Sequence, residues 1–270
     1  MYTLRLKNHL ISLDTPIIMG ILNVTEDSFY DGGRYITEMA VLKRVEQILE
    51  EGATIVDLGA VSTKPNAVEV DENKEFNSIK KYLPLILSHF PETFVSIDTF
   101  RASVAEMALF EGAAMINDIS GGADPKMFEI AGKHHVPYVL THNNRANPDA
   151  QNNLIPQMIT FFGNRIEKLI SKGVTDIIID PGFGFGKSVE QNYYLIKQLE
   201  TFSFLRFPIL VGISRKSMIR DVLDTDFAQS LAGTTTLNTI ALRKGASILR
   251  VHDVKQCAEA ITIINLLHSL

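Results

Sequence analysis

Eight short apolar runs, each followed by a segment with apolar residues at three- and four-residue spacing, constrain this chain more than any other feature. The runs are Ile17–Leu22, Thr54–Leu58, Phe94–Ile97, Ala114–Ile116, Tyr138–Leu140, Ile177–Ile179, Ile209–Ile213 and Ser247–Val251. They lack the polar alternation of a half-exposed strand, so each reads as a strand covered on both faces. The periodic segments read as helices: Glu38–Glu51, Asp71–His89, Phe100–Glu111, Pro125–His134, Asn153–Lys172, Val189–Glu200, Phe227–Lys244 and Val254–Leu267. Gly52, Gly112, Gly173 and Gly245 stand as helix stops just ahead of the next strand. Such alternation requires a parallel sheet with right-handed crossovers. Eight units in 270 residues match an α/β fold, a closed (β/α)8 TIM barrel. An open doubly wound sheet is the alternative, but it usually carries a glycine fingerprint after its first strand, where this chain has Asn23. Upstream, Leu4, Leu6, Leu10 and Leu13 alternate with polar residues and predict a short N-terminal β-hairpin within residues 1–14. No linker, repeat or low-complexity segment divides the sequence, so residues 1–270 read as a single domain.

Composition narrows the function classes. A net charge of −5 without a basic stripe argues against a nucleic-acid partner. No run of 18 apolar residues is present to span a membrane. The N-terminal stretch is alternating and charged rather than a secretory signal, and the expectation is a cytoplasmic protein. The single cysteine, Cys257, rules out an internal disulfide and reads as a buried, inert thiol in a helix.

In a barrel of this kind the C-terminal ends of the strands share one mouth, where chemistry takes place. Those ends carry Asn23, Asp57, Asp98, Asn117 with Asp118, His142, Asp180, then Ser214, Arg215 and Lys216, then Arg250, His252 and Asp253. Any one of the Asp, Asn or Ser residues can be a helix cap. As a set they need partners, supplied either by one another or by a ligand rich in donors and acceptors. The densest stretch is IIIDPGFGFGKS, residues Ile177–Ser188, with Gly182, Gly184 and Gly186 alternating with other residues. It fails the P-loop pattern, because Pro181 stands where the first glycine belongs, and it fails GxGxxG, because its third glycine comes one residue early. It reads as a strand-end carboxylate beside a bare loop. There is no HxH on the first strand, against a hydrolytic zinc site. Lys216 allows Schiff-base chemistry, and its basic run RKS fits charge pairing or anion recognition equally.

Six motifs, in order and on matching strand ends, carry a family resemblance: MGILNVTEDSFYDGG (Met19–Gly33), SIDTFRASVA (Ser96–Ala105), INDISGG (Ile116–Gly122), DPGFGFGK (Asp180–Lys187), GISRKSMI (Gly212–Ile219) and RVHDV (Arg250–Val254). From Ile18 to Val254 the sequence resembles the dihydropteroate synthases. The resemblance implies a pterin-binding (β/α)8 transferase of folate biosynthesis, Mg2+-dependent, homodimeric and a sulfonamide target. Its reaction joins 6-hydroxymethyl-7,8-dihydropterin pyrophosphate to p-aminobenzoate and releases pyrophosphate. By the same resemblance, Asp98, Asn117, Asp180, Lys216 and Arg250 bind the pterin, and Thr63, Pro65, Phe185 and Ser214 line the p-aminobenzoate side. Thr63, Arg250 and His252 take the pyrophosphate and Asn23 holds Mg2+; the catalytic set is Asp98, Lys216, Arg250 and Asn23.

The departures from the family pattern are specific. Glu26 replaces a proline, Ala60 and Val61 alter the second loop, Lys64 stands for an arginine, Asn66 for a glycine and Thr141 for a methionine. Lysine cannot form the bidentate fork of arginine. These changes leave the pterin contacts in place and put the p-aminobenzoate and loop-closure parts in question. Two alternatives follow: a methyltetrahydrofolate-binding barrel of the corrinoid methyltransferase type, and a pterin-binding relic whose altered loops no longer catalyse.

Overall fold

The computed structural model describes residues 2–24, 37–61, 71–144 and 153–269. Its strands are β1 (Thr3–Leu6), β2 (His9–Ser12), β3 (Ile17–Asn23), β4 (Ile55–Gly59), β5 (Phe94–Asp98), β6 (Met115–Asp118), β7 (Tyr138–Thr141), β8 (Ile177–Asp180), β9 (Ile209–Val211) and β10 (Ala246–Val251). The helices are α1 (Glu38–Glu50), α2 (Glu72–His89), α3 (Ala102–Phe110), α4 (Met127–His134), α5 (Leu154–Ser171), α6 (Val189–Lys197), α7 (Ser217–Leu223), α8 (Leu231–Arg243) and α9 (Val254–Ser269). Strands β3 to β10 form a closed parallel barrel, with β10 pairing back onto β3. The open-sheet alternative is thereby excluded. All four glycine stops adopt positive φ, between 86° and 102°, where a side chain would be strained.

Each strand serves two cores, which explains the uninterrupted apolar runs. One set of alternate residues, including Val56, Leu58, Ile97, Ile116, Leu140, Ile179 and Leu249, packs outward against the helices. The other set, Met19, Ile55, Met115, Val139, Ile178, Leu210 and Ile248, fills the barrel interior. Leu4 and Leu6 of β1 join this inner cluster, so the hairpin closes the floor of the barrel. Burying such a leucine contributes about 1.5–3 kcal/mol.

The strand period of two then places the polar residues. One or two inward positions beyond the apolar floor, Ile55 leads to Asp57, Phe94 to Ser96 and Asp98, and Met115 to Asn117. Val139 likewise leads to Thr141, Ile178 to Asp180, and Ile248 to Arg250 and His252. An apolar floor under a polar mouth is therefore written into each strand.

Three local details go beyond the sequence reading. In the hairpin, Leu10 of β2 is 75% exposed, while Ile11 packs against the inner cluster with Leu4 and Leu6 of β1. The helix begun at Val189 ends at Lys197 and gives way to a 3-10 turn over Leu199–Leu205. A separate helix, α7, precedes α8; its seven residues are too few for a periodic signal.

Candidate active site

At the end of β8, Asp180 is buried, and its Oδ1 accepts from the Gly182 amide at 2.8 Å. Among the described residues, the hydrogen-bond partner of its Oδ2 is the Thr141 hydroxyl, at a long 3.5 Å. Burial pushes the carboxyl up, against the pull of the Lys216 ammonium. The glycines beside it make room for named neighbours. A Cβ on Gly182, whose φ is +69°, would collide with the His142 carbonyl, and one on Gly184 would meet Lys216 Cδ at 3.1 Å. Lys187 pins this loop, donating to the carbonyls of Gly182 at 2.8 Å and His142 at 3.1 Å. Burial lowers its pKa to about 7.

The loop is not built for phosphate. The N-terminus of α6 is closed by a reciprocal capping box between Ser188 and Gln191. The Gly184 amide is already given to Asn192 Oδ1 at 2.8 Å. Lys216, at the N-cap of α7, donates to the Phe183 carbonyl at 2.5 Å and lies 4.4 Å from the centre of the Phe185 ring. This anchoring beside an aromatic face favours the charge-pairing reading of Lys216 over a Schiff base.

Across the mouth the charges pair with each other. Arg250 donates through Nε to Asp57 Oδ2 at 2.6 Å and through Nη2 to Asp98 Oδ2 at 2.5 Å. Asn117 Nδ2 reaches the same Asp57 oxygen at 3.0 Å. Burial raises the Asp98 pKa to about 7, opposed by Arg250 and assisted by Asp57 and Glu75. Burial acts to lower the Arg250 pKa, and the carboxylates of Asp57 and Asp98 more than reverse it.

Behind Asp98, the wholly buried Glu75 of α2 accepts from the Thr99 hydroxyl at 2.5 Å and pairs with Arg101. Asp57 was legible as a strand end but carried no assigned role, and Glu75 was missed altogether. Only the inward parity of Asp57 with Ile55 could have marked it; nothing local in sequence marks Glu75. Beside Gly59, Asn23 Oδ1 and Asp98 Oδ2 share a small space, each 3.5 Å from where a Cβ would stand.

At the ends of β9 and β10, Ser214 Oγ accepts from the His252 amide at 3.2 Å, and Arg44 Nη2 donates to the His252 carbonyl at 2.6 Å. Arg215 forks onto Asp253, with contacts of 2.9 and 2.7 Å. Burial, reinforced by Arg250, lowers the His252 pKa to about 4, so its ring is neutral near pH 7.

The barrel thus brings Asn23, Asp98, Asn117, Asp180, Phe185, Ser214, Lys216, Arg250 and His252 to one end, each at or just beyond the C-terminal end of a strand. Thr63 and Pro65, together with Glu26, Lys64 and Asn66, lie outside the described residues. Ala60 is buried just past β4, and Thr141 stands against Asp180 rather than on a covering loop. Among the described residues no group of three or more His, Cys, Asp or Glu is arranged to hold a metal. No described helix is long and apolar enough to cross a membrane.

Comparison with known proteins agrees with this geometry. Residues 19–252 match the pterin binding enzyme family. Dihydropteroate synthase of Haemophilus influenzae is 38% identical over 265 residues, covering 95% of this chain and 96% of the relative. The solved Xanthomonas albilineans dihydropteroate synthase with 4-aminobenzoic acid superposes with a TM-score of 0.94 at 32% identity, covering 99% of this chain and 98% of that one. The Yersinia pestis dihydropteroate synthase in a sulfonamide drug complex gives a TM-score of 0.93 at 35% identity, with complete coverage of both chains (100%). On its motifs, its closed barrel and these relatives, the chain belongs to the dihydropteroate synthase family of pterin-binding enzymes.

Proposed function

We propose that this protein condenses 6-hydroxymethyl-7,8-dihydropterin pyrophosphate with p-aminobenzoate to give 7,8-dihydropteroate and pyrophosphate. The observation that carries the reading is Asp180, a buried carboxylate whose Oδ2 has, among the described residues, a single long hydroxyl contact of 3.5 Å, at a mouth lined by Asn117 and Lys216. A pterin edge offers adjacent N–H donors that such an oxygen accepts, and its remaining heteroatoms suit an amide and an ammonium. Asp180 takes the 2-amino and N3 edge, Asn117 the amino and N1 side, and Lys216 reaches O4 and N5. Asp98 lies along the reduced ring, and the planar Arg250 cation covers its face.

Pyrophosphate departs from the pterin methylene as the C–O bond breaks, and the arylamine nitrogen then attacks that carbon and loses a proton. Asp98 supports the positive charge that develops on the pterin, while Arg250, the neutral His252 ring as a hydrogen-bond donor, and Thr63 receive the leaving group. Phe185, Ser214, Thr63 and Pro65 form the p-aminobenzoate side, where we place sulfonamide binding as well.

The residues fit Mg2+ at Asn23. Its amide oxygen shares the space beside Gly59 with Asp98 Oδ2, and Mg2+ takes few protein oxygens together with substrate phosphates and water. When bound it supplies charge neutralisation on the leaving pyrophosphate. From the family membership we also propose a homodimer located in the cytoplasm.

The test is a steady-state assay with both substrates and Mg2+. Dihydropteroate formation is expected. A folded protein that makes none, with or without added metal, sinks the reading.

A further inference from the structure

Asp57 takes no part in the contacts assigned above, yet it is wholly buried on the inner face of β4. It stands two residues before Gly59, the residue paired with Asp98, and so lies one inward position deeper than the strand end. A single oxygen, Oδ2, accepts from both Arg250 Nε at 2.6 Å and Asn117 Nδ2 at 3.0 Å. These donors come from β10 and β6, which are separated in the barrel by β3, β4 and β5. The other oxygen, Oδ1, is buried with no hydrogen-bond partner among the described residues, as is Ser96 Oγ on the paired residue of β5.

Stability alone does not account for this arrangement. A buried ion pair is often matched or bettered by apolar residues of similar volume. A half-satisfied buried carboxylate calls for a reason of its own. Its effect on the site is definite. By holding Nε, Asp57 sets the plane of the Arg250 guanidinium and leaves Nη2 directed to Asp98 at the strand end. By holding Nδ2, it fixes which way the Asn117 amide presents itself.

We propose that Asp57 is a positioning residue for the dihydropterin, orienting Arg250 and Asn117 from below without itself touching the substrate. This rests on the dihydropteroate reading and assigns a role inside the same site. Binding groups held by fixed partners lose least freedom when the substrate arrives. The p-aminobenzoate groups Phe185 and Ser214 lie on other strand ends and make no contact with Asp57, so the effect falls on one substrate.

The test measures kcat and both KM values for wild type, Asp57→Ala and Asp57→Asn, with folding checked by circular dichroism. Loss of such a supporting contact typically costs about 10–100-fold, and that drop is expected in kcat/KM for pterin pyrophosphate with Asp57→Ala. The KM for p-aminobenzoate stays within about threefold, and in an Arg250→Lys background the same change adds less than about threefold, as coupled residues do. Asp57→Asn, which keeps an oxygen acceptor for both donors, restores most of the loss. If Asp57→Ala does not fold, Asp57→Ser, too short to reach either donor, is expected to show the same loss. Wild-type kcat/KM in a folded variant, equal KM rises for both substrates, or fully additive losses with Arg250→Lys each overturn the role. A wild type that turns over beside unaffected variants overturns only this inference. A wild type that neither binds pterin nor makes dihydropteroate takes the underlying reading down with it.

Discussion

The two arcs of the barrel mouth solve the problem of buried charge in opposite ways. On the arc of β4, β5, β6 and β10, carboxylates pair with a guanidinium: Asp57 and Asp98 both bond Arg250, each through one oxygen. On the arc of β7, β8 and β9, the ammonium groups of Lys187 and Lys216 are held by backbone carbonyls. Asp180 Oδ2 has there, among the described residues, a single long contact from the Thr141 hydroxyl. On the first arc the cation is already paired with carboxylates, and a substrate must exchange with that ion pair or slide over it. The second is open to a donor. On the proposed reading, Asp180 and Lys216 of the second arc take the pterin edge together with Asn117 of the first, and Asp98 and Arg250 of the first arc manage the developing charge.

The strongest way to break this comparison is Asp180→Ala. Hydrogen bonds to a charged group are worth about 1.5–3 kcal/mol each, so loss of two should weaken pterin binding about 100-fold or more by calorimetry. Unchanged affinity in a folded variant would mean that recognition lies elsewhere. Gly182→Ala comes next, because it forces a side chain into a positive φ and against the His142 carbonyl. We expect about 1–3 kcal/mol lost in urea unfolding. A wild-type midpoint would show that the open arc is less tightly built than its contacts indicate.

The histidines bordering the two arcs offer a pH test. Burial lowers the pKa of His142 to about 3 and that of His252 to about 4, from 6.5. Both rings are then neutral in the folded protein but protonate when unfolded, so their contribution to stability is complete above about pH 6.5 and is lost as the pH falls towards those lower values. NMR titration should find neither ring half-protonated above pH 5, well below the 6.5 of an unperturbed ring. A midpoint near 6.5 contradicts the burial of the mouth.

A smaller effect sharpens the comparison. The Thr141 hydroxyl is too far from Asp180 for a strong bond, so Thr141→Val should change pterin affinity by no more than about twofold. A tenfold loss would show that the open oxygen is in fact occupied. The smallest effect is expected at Cys257, buried with its thiol pushed up to about 12. Thiol reagents should leave the folded protein unmodified and label it only in denaturant. Rapid labelling of native protein would place the thiol at the surface.

Much of the fold was legible because its signals are local. Apolar runs such as Ile177–Ile179 declare burial on both faces, and Gly112 or Gly245 marks a helix end by its tolerance of positive φ. The polar strand ends from Asn23 to His252 were legible for the same reason. The limits are local too. Helix α7 is too short to show a period, and Leu10 fits the alternation of the hairpin's leucines although it is exposed while Leu4, Leu6 and Leu13 are buried.

By itself, then, the sequence determined the barrel, the family and the set of residues that border the mouth, since strand parity and motif order do not depend on distant contacts. Only the tertiary structure decided which charges neutralise each other. Asp57 and Arg250 are 193 positions apart, as are no two groups within one strand–helix unit. Their pairing exists because closing the barrel sets β10 two strands from β4. The same closure leaves Asp180 Oδ2, among the described residues, with one long contact from Thr141, and no reading of IIIDPGFGFGKS alone distinguishes such a carboxylate from a fully bonded one.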